Sequence, residues 1–304
     1  MKGLASFVMR GPSQAVMATT VLALLSLILP LLGILSAACV GLVTLRQGAK
    51  FGLGVSLLAT LAGGLIIWIS FGSPLPSLGF LLVQWMPILL LGLVLRTTRS
   101  LSLTVQTGLI FGLLVILGQY LFLADPVAFW QTQLEPLVAQ LVAADVLGQS
   151  NSEAFLQQMA KWMAGVLAAG IFLQLIFSLL TARWWQSLLY NPGGFRTEFH
   201  SFRLPRAFGL LGLPVLPMLL LEGLEIPAIL GYLGVLLLTI LFLQGLAVIH
   251  GILGKTGSGT AWLVGMYLLL IILPPQVVMV LASAGLLDIW IDFRARYERS
   301  RSTD

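Results

Sequence analysis

Residues able to do chemistry are sparse in this sequence. Gln244 and His250 stand on one apolar run. An amide among hydrocarbon needs a hydrogen-bond partner, so Gln244 reads as interhelical glue or as a ligand contact. His250, nearer the end of the run, reads as an interfacial polar end or as a second ligand contact. Their spacing sets them about 240° apart around a helix, so they do not share a face. Gly254-Lys255-Thr256 invites comparison with a phosphate-binding loop, but that motif needs glycine where Ile249 stands, and a strand before it. A flexible basic turn is the reading that remains. Arg196, Arg203 and Arg206 follow the turn Asn191-Pro192-Gly193-Gly194 and form either an orientation signal facing lipid headgroups or a docking surface. From Leu286 to Arg301, apolar Leu287, Trp290, Ile291 and Phe293 interleave with Asp288, Asp292 and arginines. The two aspartates are a like-charge i,i+4 pair, which Arg294, Arg296 or another loop must neutralise. This stretch is a candidate surface anchor or docking element.

What is missing matters as much. Cys39 is the single cysteine and His200 and His250 the two histidines, too few for a thiolate or histidine-built metal site. No paired carboxylates offer acid–base chemistry. The expectation is a non-enzymatic protein with no metal and no cofactor. The apolar runs hold almost no ionisable side chain, which argues against a proton pump or a voltage sensor.

The elements that must position these residues are membrane helices. The chain has 304 residues, 59% hydrophobic and 9% charged, with a mean hydropathy of +1.03. A soluble domain carries ~25% charged residues, so this chain cannot cover itself with a wetted surface. The net charge of +5 fits basic loops retained in the cytoplasm rather than nucleic-acid binding. No cleavable signal is expected, because the first apolar run is too long and lacks a small-x-small site.

Stretches without Asp, Glu, Lys or Arg run from Gly11 to Leu45, Phe51 to Leu95, Ser100 to Ala124, Trp162 to Ala182, Ala207 to Leu221, Ile226 to Gly254 and Thr256 to Leu287. A span needs ~20 residues, so the second divides at Gly72-Ser73-Pro74-Leu75-Pro76-Ser77 into a hairpin. The first and last are long for one helix and short for two; Pro30 with Gly33, and Pro274-Pro275, predict broken or hairpinned helices there. The segment 124–160, with Asp125, Glu135, Asp145 and Glu153, reads as an extracytoplasmic loop carrying an amphipathic helix near Phe129 to Val146. Trp162, Trp184 and Trp185 bracket one span as an aromatic belt. Arg46, Lys50, Arg96, Arg99, the 183–206 loop and Lys255 then share the cytoplasmic side. The 73–79 turn, the 124–160 loop, Glu222 and Glu225 fall opposite. Arginines in the 286–304 amphipathic basic tail favour cytoplasmic termini.

Arg46-Gln47-Gly48, Phe202-Arg203-Leu204-Pro205, the run Phe242-Leu243-Gln244-Gly245 through His250, and Gly285-Leu286-Leu287-Asp288-Ile289-Trp290-Ile291-Asp292-Phe293-Arg294 together resemble the YybS-like family of bacterial membrane proteins. That family is similar, more distantly, to the substrate-binding S components of energy-coupling-factor transporters. The resemblance implies a helical inner-membrane protein with a small-molecule-binding role. It supplies no catalytic residues. S components dock on their partner through small residues four apart near the first helix; Ala37 and Gly41 have that spacing, which ordinary helix packing also uses.

The expected architecture is all-α: one integral membrane domain over 1–304, a polytopic transmembrane helical bundle of about 8 (8–10) segments. The expected function is a small-solute-binding or transport component of the bacterial inner (cytoplasmic) membrane. The alternative is a scaffold or assembly factor that docks partners through its cytoplasmic loop and tail. Gln244 and His250 are the candidate ligand contacts. Ala37, Gly41, Arg203, Arg206, Asp288, Asp292 and Arg294 are candidates for partner or lipid docking. The expected partners are the bilayer, a membrane or cytoplasmic protein, and a small apolar or amphipathic solute, with no nucleic acid.

Overall fold

A computed structural model describes residues 1–220, 227–255 and 259–302, the side chains of 220 and 298–302 excepted. Glu222, Glu225 and Thr256 lie outside the described residues, as do the side chains of Arg299 and Arg301. All regular structure among the described residues is helical. In order these are α1 (Lys2–Val8), α2 (Pro12–Ser26), α3 (Leu32–Gln47), α4 (Ala49–Phe71), α5 (Leu75–Gly79), a π-helical turn (Phe80–Trp85) and α6 (Met86–Thr98). There follow α7 (Leu101–Phe122), α8 (Pro126–Ala143), α9 (Gln149–Tyr190), α10 (Gly194–His200) and α11 (Arg206–Leu220). The last are α12 (Ala228–Leu253), α13 (Gly259–Ile272), α14 (Pro274–Ile291) and α15 (Phe293–Ser302).

Among the described residues six helical segments are long and apolar enough to cross a bilayer: α4, Leu75–Thr98, α7, α9, α12 and α14. Shorter apolar helices α2, α3, α11 and α13 accompany them. This is the all-α bundle of a polytopic membrane protein. Chains that span lipid must satisfy their backbone internally, and helices do so. The chain divides into two compact units, residues 1–108 with 172–202 and residues 109–171 with 203–304.

In the first unit the apolar run around Pro30 breaks into α2 and α3, which pack on each other. The Ser36 hydroxyl donates to the Thr19 carbonyl at 2.8 Å and ties the two together. Ala37, Ala38 and Gly41 are fully buried. A Cβ on Gly41 would stand 2.9 Å from that of Ala182. The predicted hairpin after α4 forms as well, with the Ser77 hydroxyl donating to the Thr60 carbonyl at 2.7 Å. The π-helical turn has a local cause: Pro87 has no N–H for the carbonyl four residues back, and a widened turn accommodates the gap. Leu61, Ile69 and Leu82 are exposed, an apolar exterior suited to lipid.

In the second unit the Asp125 carboxylate caps α8, accepting from the Val127 and Ala128 amides at 2.8 and 3.1 Å. The Trp130 indole donates to Gln119 Oε1 at 2.8 Å. The run around Pro274-Pro275 breaks at Leu273 into α13 and α14. Helices α12 and α14 pass antiparallel at van der Waals range, because Gly245 lies on the Leu281 backbone and Gly285 on the Leu241 carbonyl. A side chain at either glycine would force the helices apart.

Helix α9 has 42 residues, about 63 Å at 1.5 Å per residue, twice the Trp162–Ala182 span expected from charge. Glu153, Lys161 and Arg183 end the apolar stretch without ending the helix.

Candidate functional site

Two polar centres stand out, one in each unit. In the first, Gly33 opens α3 just after the break. A Cβ there would meet Gln84 Nε2 at 3.3 Å, Gln174 Nε2 at 3.4 Å and Gln84 Oε1 at 3.5 Å. Gln84 rides on the π-helical turn and Gln174 on α9. The Gln84 Oε1 is buried and has no hydrogen-bond partner among the described residues. Beside it, the Trp85 indole donates to the Ser36 hydroxyl at 3.2 Å. A glycine and two amides, one of them with an orphaned acceptor, thus converge where a helix is interrupted. Chemically the site offers an acceptor and N–H donors to a polar group on an otherwise apolar molecule.

The second centre is ionic and fully occupied. Asp288, in the last turn of α14, is completely buried. Its Oδ2 accepts from Gln244 Nε2 at 2.8 Å and Arg294 Nη2 at 2.7 Å, and its Oδ1 accepts from the Phe293 amide at 3.0 Å. The other end of Gln244 is also taken, since Oε1 accepts from the Leu204 amide at 2.9 Å. Arg203 pairs with Asp292 and donates to the carbonyls of Ile289 at 3.1 Å and Asp288 at 3.3 Å. A guanidinium there complements the C-terminal end of the α14 dipole. Burial pushes the Asp292 carboxyl up, but the Ala295 amide, Arg203 and Arg294 outweigh it and hold it below its ordinary value. The loop at 202–205, the end of α14 and the start of α15 are therefore locked around one buried carboxylate.

This arrangement revises the 286–304 tail. Helix α14 ends at Asp292, whose φ of 52° is left-handed, and α15 starts afresh at Phe293. The two aspartates are thus not stacked on one continuous helix, and each has its own arginine.

The remaining candidates separate. His250 Nδ1 stands 2.8 Å from the Leu246 carbonyl and Nε2 3.1 Å from the Tyr267 hydroxyl. A carbonyl only accepts, so Nδ1 carries the proton and Nε2 accepts from Tyr267. Gln244 turns instead to Asp288 and Leu204, so the structure does not bring these two residues to one site. Ala37 and Gly41 lie inside the first unit and not on its surface. Arg206 is exposed at the start of α11. Gln84 and Gln174 were not singled out from sequence, although each is an amide in a charge-free run, the same signal that marked Gln244.

A family model described as predicted membrane protein (DUF2232) matches residues 17–289. The chain belongs to this family. No curated protein and no solved structure matches it. The DUF2232 match spans Gly33, Gln84, Gln174, Arg203, Gln244 and Asp288, and ends before Asp292 and Arg294.

Proposed function

We propose that this multi-pass membrane protein is a non-enzymatic component of a bacterial inner membrane that binds a small amphipathic solute at the Gly33–Gln84–Gln174 centre. The observation that carries the reading is the buried Gln84 carbonyl without a partner. Leaving such a group unmatched costs about 1–3 kcal/mol, and a ligand that donates a hydrogen bond there recovers it. The placement agrees, since interrupted helices gather polar groups at binding sites in transporters. The likeness to YybS-like proteins and to S components points the same way, with a membrane or cytoplasmic protein as the energising partner. The scaffold reading is weaker, because Arg203, Asp288, Asp292 and Arg294, which it would use for docking, engage one another.

Native mass spectrometry of gently solubilised protein tests the proposal. Wild type is expected to retain a small-molecule adduct, and Gly33→Leu, which fills the centre, to lose it. An adduct on both proteins, or on neither, contradicts the assignment.

A further inference from the structure

The ends of three apolar helices in the first unit enclose a basic basin whose lining shares no residue with the Gly33–Gln84–Gln174 centre. Its volume is about 260 Å³ and its floor includes Leu45 and Leu95, near the C-terminal ends of α3 and α6. Arg96, Arg99 and Arg183 line it, with Glu198 as the only carboxylate among its lining residues. Arg96 Nη1 donates to the Leu45 carbonyl at 2.9 Å, which neutralises the negative end of α3 and fixes this guanidinium over the basin. Arg183 is gripped by the Glu198 carboxylate through Nε and Nη2, while its Nη1 donates to Gln186 Oε1 at 3.1 Å. The Arg99 amide donates to the Leu95 carbonyl at 2.9 Å, while its guanidinium makes no hydrogen bond or ion pair among the described residues. Three guanidinium groups against one carboxylate leave the basin two positive charges in excess, and each guanidinium has more N–H donors than these contacts use.

From this geometry we infer that the basin is a headgroup site for an anionic phospholipid. The phosphate sits among Arg96, Arg99 and Arg183, and the glycerol end rests on Leu45 and Leu95. A lipid is favoured over a free phosphate because the basin opens where apolar helices end, and because Leu45 and Leu95 line it beside the arginines. Basic pockets between membrane helices are the usual place for such lipids.

The test uses the full-length protein in neutral detergent, titrated with phosphatidylglycerol or phosphatidylcholine and read by native mass spectrometry. Phosphatidylglycerol is expected to be retained in preference to phosphatidylcholine. Arg99→Gln lowers its retention by about fivefold, the effect of one charge near the surface. Glu198→Gln, which removes the opposing carboxylate, raises it. Equal retention of the two lipids, or Arg99→Gln behaving as wild type, overturns the inference. Displacement by an equal concentration of inorganic phosphate overturns the lipid assignment in favour of a free-anion site.

Discussion

Two glutamines with buried side-chain oxygens, one in each unit, have opposite fates. Gln244 is matched at both ends, taking the Leu204 amide on its oxygen and giving its nitrogen to Asp288. Gln84 has a buried oxygen without a partner among the described residues. Both stand in runs where an amide is costly to bury, so residue type does not separate them; partners do. The second unit uses its amide to join a loop to a helix and a charged side chain, and the network is complete. The first unit leaves an acceptor aimed at a glycine where a helix breaks. The closed network acts as a structural device, and the open one is where the proposed solute would bind.

The largest expected effect lies in the closed network. Asp288→Asn leaves Arg294 buried without its counter-charge, and thermal unfolding in detergent should show a loss of about 3–5 kcal/mol. Replacing both partners, Asp288→Leu with Arg294→Met, should recover most of that loss, because two apolar ends need no counter-charge. A double variant as unstable as the single one would mean that Gln244 and the Phe293 amide, not the ion pair, dominate the centre.

A smaller effect concerns Asp292, which is partly exposed and therefore screened. Its carboxyl is held below its ordinary value of 3.8. A group lowered in the folded state stabilises that state above its unfolded value and gives the stabilisation up as pH falls through the lowered one. Stability is therefore expected to hold from neutral pH downward and to decline below 3.8. Arg203→Gln should diminish that decline, and an identical acid profile for the variant would remove Arg203 from the account.

Much of the fold was legible because lipid imposes a simple rule: charge-free length means helix. The breaks at Pro30 and Pro274-Pro275 followed from proline's missing donor, and the hairpin after α4 from its turn residues. Charge marks where hydrocarbon ends, however, and not where a helix ends, which is why α9 runs far past Trp162–Ala182. The like-charge reading of Asp288 and Asp292 assumed one continuous helix. Partners distant in sequence, Gln244 and Arg203, decide the outcome there, and local spacing cannot reveal them. The Gly33–Gln84–Gln174 centre depends on a π-helical turn and on three separated segments meeting. Its only trace in the sequence was two amides in apolar runs.

The central claim, that Gln84 is kept for a ligand and Gln244 for the fold, is tested most directly by unfolding Gln84→Leu and Gln244→Leu beside wild type, all stripped of bound small molecules. Gln244→Leu strands the Leu204 amide and one donor's worth of Asp288, and should lose about 1–3 kcal/mol. Gln84→Leu removes an unmatched buried acceptor and should be at least as stable as wild type. A Gln84→Leu protein destabilised as much as Gln244→Leu would show that both amides are structural, and the proposed binding centre would be contradicted.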